Sequence, residues 1–150
     1  MPASAGDFPA TALLSIGFSE VRLDDLRNTE TYSLRVAEPC GFLIISADLN
    51  GDGIADEVRI LQNLERGVAY VAAAITTPTK LDTYVLKSVP LAEVPYLAIE
   101  VASPDPNLGK GIKGAGIAIF DLRTGLGEAN FFDGEEFSIT APVDRRVVQC

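Results

Sequence analysis

Most of this chain is written in short apolar runs, alternating or continuous, and few are long enough for a helix. Residues 31–36, Thr-Tyr-Ser-Leu-Arg-Val, alternate and predict a strand. Residues 41–46 are apolar on both faces, as a central strand would be. Further strands are expected over 57–62, 68–75, 83–86, 96–101, 117–122 and 129–132, with a return strand over 136–140. The run 68–75 is rich in alanine, but its β-branched residues and the Thr-Thr-Pro that follows favour a strand. Around 18–26 the pattern is mixed: Val21 and Leu23 alternate, then Asp24-Asp25 ends the run. One helix is expected near the start, with Asp7 as cap, Pro9 in the first turn, a body over 10–15 and Gly17 past its end.

Turn residues divide these runs. Asn63 to Gly67 and Thr124 to Gly127 read as turns, Asp133-Gly134 as a hairpin tip, and Pro90 and Pro95 bracket a connector. Residues 103–116 read as a loop. The expected fold is mainly β, a β-rich α+β class: a mostly antiparallel meander of about eight strands with one short N-terminal helix. With 150 residues it makes one domain, ordered over about 7–141 with a polar, basic tail at 142–150.

One polar stretch departs from ordinary turn chemistry. Asp48-Leu49-Asn50-Gly51-Asp52-Gly53-Ile54-Ala55-Asp56-Glu57 sets side-chain oxygens at positions one, three, five and nine, with glycine at position six. Hard cations need several oxygens converging through a sharp turn. Gly53 suits the left-handed conformation such a turn requires. The expected metal ligands are Asp48, Asn50, Asp52 and Asp56, directly or through water, with the Ile54 carbonyl, and the expected ion is Ca2+. A plain acidic turn would need only two special residues and would set three carboxylates against one another without return. An EF-hand is not matched, because position twelve is Arg59 and both flanks read as strands.

This D-x-N-x-D-G-x-x-D form between strands resembles the calcium loops of FG-GAP repeats, the blades of integrin-type propellers and of many bacterial extracytoplasmic proteins. Phe131-Phe132-Asp133-Gly134-Glu135-Glu136-Phe137 is similar to the closing hairpin of small single-unit relatives. One loop is not a propeller, which takes several blades. The resemblance implies a calcium loop between strands and no particular activity.

Composition narrows the chemistry. Net charge is −9, from 21 acids and 12 bases, which argues against nucleic acid as a partner. The absence of histidine removes Ser-His-Asp and Cys-His catalysis and the usual catalytic zinc sites. An apolar fraction of 47% predicts a packed core, yet no apolar segment reaches the ~18 residues of a membrane span. Residues 1–6, Met-Pro-Ala-Ser-Ala-Gly, lack the basic start and apolar middle of a secretion signal. The chain is then either cytoplasmic or a mature fragment with its leader outside this sequence; because a modest calcium loop fills only at extracellular ion levels, a periplasmic or secreted location is expected. Cys40 and Cys150 admit either one disulfide or two thiols.

Gly109-Lys110-Gly111-Ile112-Lys113-Gly114 spells G-x-G-x-x-G, but a strand is expected after it where a dinucleotide site needs a helix. Lys110 and Lys113 are either solvated or meet an anionic group on a partner. Glu128, Asp133, Glu135 and Glu136 cluster near the last hairpin, and a glycosidase would need two of them across a cleft. The expected function is a non-enzymatic calcium-binding β-domain with a protein or glycan partner. The alternatives are a polysaccharide or peptide hydrolase, or its accessory domain, and a protein-binding module presenting residues 103–116.

Overall fold

The structure, a computed structural model, describes residues 11–38, 41–104, 112 and 114–144. Two antiparallel sheets face each other across one core. The first sheet holds β1 (Ser19–Glu20), β2 (Ile44–Ala47), β3 (Asp56–Asn63), β4 (Val68–Thr76) and β5 (Leu81–Pro90). Strands β1 and β2 both pair with β3, which pairs with β4, and β4 with β5. The second sheet is a meander of β6 (Leu97–Ala102), β7 (Gly116–Asp121), β8 (Leu126–Phe131) and β9 (Ile139–Asp144).

The mainly β, antiparallel expectation therefore holds, but the meander is divided in two. The break falls at the bracketed connector, a 3-10 helix over Leu91–Tyr96, which carries the chain from one sheet to the other. Alternate residues of β3 and β4 (Val58, Ile60, Val71, Ala73, Ile75) meet Leu97, Ile99, Ile117 and Ile119 of the second sheet, all of them buried. Inward side chains from both sheets interlock there, as in a sandwich. Smaller clusters close the outer faces. Phe18 stacks on Tyr70 at 4.5 Å over the first sheet. Phe42 meets Phe120 edge-on at 5.6 Å over the second.

Several sequence expectations change. Residues 31–36 do not form a strand; α2 (Tyr32–Val36) is a helix. Its apolar Leu34 and Val36 are exposed while Arg35 is fully buried, so the apparent alternation was not marking a core face. The strand expected from 41 starts at Ile44, because Gly41 (φ 62°) and Phe42 (φ 59°) turn left-handed before it. Among the described residues β2 pairs only with β3 and leaves Ile44 exposed, so it is not a central strand. The mixed stretch gives two residues of β1 and a 3-10 helix over Leu23–Leu26. At the other end β9 runs on to Asp144, three residues into the expected tail. The helix α1 (Thr11–Ser15) and the positive φ of Gly17 (98°) are as expected, while Asp7 and Pro9 lie outside the described residues.

Candidate metal centre

The loop between β2 and β3 is the densest knot of side-chain to backbone hydrogen bonding in the described chain. Both of its ends are fixed before any ion is considered. Leu49, second in the loop, is fully buried in the inter-sheet core, a contribution of about 1.5–3 kcal/mol. Asp56, the last ligand position, is also fully buried. One of its oxygens accepts the Leu49 N–H at 2.8 Å and the other accepts the Thr76 N–H at 2.8 Å, so it ties the loop's start to the end of β4. Burial pushes the Asp56 carboxyl above the usual carboxylate range; the two amides pull it back, and the charges of Asp52 and Asp48 push it up again.

Between these anchors the backbone winds around the first aspartate. Asp48 accepts N–H bonds from Gly51 (2.8 Å), Asp52 (3.2 Å) and Gly53 (2.8 Å). Gly51 (φ 78°) and Gly53 (φ 83°) take the left-handed turn expected of Gly53. Asp52 accepts the Ile54 N–H at 2.8 Å, and its other oxygen accepts from the Asn50 amide at 3.2 Å. Asn50 in turn accepts the Asp52 N–H at 3.3 Å. None of Asp48, Asp52 or Asp56 forms an ion pair with a described basic residue.

The five expected ligands thus belong to one loop. Among the described residues no three His, Cys, Asp or Glu side chains are grouped to hold a metal ion. The donor set is all oxygen, the chemistry that calcium prefers to zinc or copper. Closing it on an ion requires Asn50 and Asp52 to release each other.

Sequence reasoning missed what holds the loop from outside. The Ala115 N–H donates to the Asp48 carbonyl at 3.0 Å. Gly114 lies so close that a Cβ there would stand 2.5 Å from that same oxygen. The last glycine of the G-x-G-x-x-G run therefore packs on the acidic loop, and strand β7, not a helix, follows it. Gly109, Lys110, Gly111 and Lys113 lie outside the described residues, as do Cys40 and Cys150.

The four acids near the last hairpin are not one group. Asp133 accepts N–H bonds from Glu135 (2.8 Å) and Glu136 (2.9 Å) and the Ser138 hydroxyl, so its carboxylate shapes its own turn. The Ser138 hydroxyl first, then those amides, hold its pKa down to about 2. Glu128 and Glu135 line different hollows. No described helix is long and apolar enough to cross a membrane. No protein-family model, curated protein or solved structure matches this chain.

Proposed function

We propose that the chain is a non-enzymatic calcium-binding β-domain of an extracytoplasmic protein. In this reading Ca2+ is held by Asp48, Asn50, Asp52, the Ile54 carbonyl and Asp56, and it orders the seam between β2 and β3. One observation carries it: three amides in succession, from Gly51 to Gly53, already turn onto the Asp48 carboxylate. That leaves a tight, oxygen-only loop with three carboxylates and no described cation to balance them. Its likeness to FG-GAP calcium loops supports the same reading.

Thermal unfolding after exhaustive chelation, then with calcium restored, tests the proposal. At a free ion level ten times the dissociation constant, binding adds about 1.4 kcal/mol, or roughly 3–5 °C for a domain of this size. Asp48→Ala and Asp52→Ala are each expected to abolish that rise. A melting temperature indifferent to calcium and chelator rejects the ion.

A further inference from the structure

Among the described residues, strand β5 lies at the edge of the first sheet and pairs only with β4. Every second residue along it turns its N–H and C=O away from β4. It is ten residues long, and its proline is the terminal Pro90. Its pairing with β4 is irregular: Val71 opposes Lys87 and Ala72 opposes Val85, which leaves Leu86 as an extra residue. Such a bulge re-aims the side chains beside it. Here Lys87 stands across from Val71, a core residue, and so turns toward the space between the sheets.

The opposite wall is the inward side of β8. Register pairs Ile119 with Glu128 and Ile117 with Asn130, and both isoleucines are core residues. Glu128 and Asn130 therefore occupy inward positions, where a packed sandwich would set apolar side chains. Two hollows of about 270 and 440 Å³ open along this line. They share Lys87, Ile119, Leu126 and Gly127, so they form one trough beneath the β5 edge that no described strand covers. Lys87 and Glu128 form no ion pair with any described residue. At the far end Glu93 and Asp121 are both already held by Arg123, at 2.7 and 2.6 Å.

We propose that this trough binds an extended peptide, which adds a strand to the β5 edge, rests apolar side chains on Ile119 and Leu126, and meets Lys87 with a carboxylate and Glu128 with a cation. Main-chain pairing supplies affinity in such strand addition, and the flanking side chains supply selectivity. A second copy of the chain fits less well. Each chain carries a net charge of −9, so two copies repel.

The test pans a displayed library of random peptides, each about ten residues to match a strand, against the folded chain. The enriched sequences are then synthesised and titrated. Expected are alternating apolar residues with one acid and one base, and slowed amide exchange along β5 when the peptide binds. Lys87→Glu and Glu128→Lys should each weaken binding about tenfold or more, while the double exchange should favour a peptide with its acid and base exchanged. Leu126→Arg, at an exposed position, should block the trough while leaving the melting temperature unchanged. No enrichment, binders indifferent to all three substitutions, or free amino acids competing as well as the peptide would overturn the proposal. So would a dimer in solution that Lys87→Glu dissolves.

Discussion

Arg35 is fully buried, and its described hydrogen bonds all go to carbonyl oxygens: Gly41 (3.1 Å), Val94 (3.3 Å), Pro95 (3.1 Å) and Leu97 (2.6 Å). Burial lowers its pKa to about 10, which leaves it charged at neutral pH. The planar fork of a guanidinium can reach several acceptors at once, so it ties the turn before β2 to the connector between the sheets. Arg35→Met strands those acceptors and should cost on the order of 3–5 kcal/mol, read as a lower urea midpoint. Arg35→Lys should recover only part of the loss, because an ammonium is a point charge without that fork. Nothing local in the sequence marks this residue, since its four partners come from segments up to 62 positions away. Gly127 is as silent in the sequence. A Cβ there would lie 2.0 Å from the Ile119 carbonyl, backbone that cannot swing aside. Gly127→Ala is expected to cost about 1–3 kcal/mol in the same assay.

At the scale of elements, the strands that pack on both faces were legible, because 57–62, 68–75 and 117–122 carry dense apolar runs. The stretch 31–36 was not. Its alternation is genuine, but the buried positions are Thr31 and the charged Arg35, and a helix is what brings Arg35 to its carbonyls. The last hairpin exists, but Asp133-Gly134 is not its two-residue tip. Residues 132–138 separate β8 from β9, the return strand starts at Ile139 rather than 136, and the acids scatter over the longer turn. Asp133 carries a pH signature there. Its folded pKa lies below the unfolded value, so its contribution is present above about pH 4 and fades as pH falls toward 2. Following the Ser138 and Glu136 resonances by NMR from pH 5 to below 2 should show the turn loosening across that window, and Asp133→Asn should remove the transition. Resonances that stay fixed in the wild-type chain would refute it.

Over the whole molecule, length and composition were enough to indicate one β-rich domain but not two facing sheets, since nothing local says which side of a strand meets another sheet. The acidic loop shows the same division. Its oxygen-bearing residues could be read in order, whereas Leu49, Thr76 and Ala115, which fasten it, could not be assigned. This separates two roles within the expected ligand set. Asp56→Ala leaves two buried amides without acceptors and should destabilise by about 2–5 kcal/mol even in chelator. Asp52→Ala, at the loop's exposed tip, should differ from wild type far more in calcium than without it. If Asp56→Ala and Asp52→Ala behave alike in chelator, the structural role given to Asp56 is wrong.

The bond from Ala115 to the Asp48 carbonyl has a mechanical consequence. It rivets the entrance of the second sheet to the head of the loop on the first, so torque on that turn passes straight into β7. A cation that tightened the loop would then damp motion at the opposite side of the sandwich as well as in its own neighbourhood.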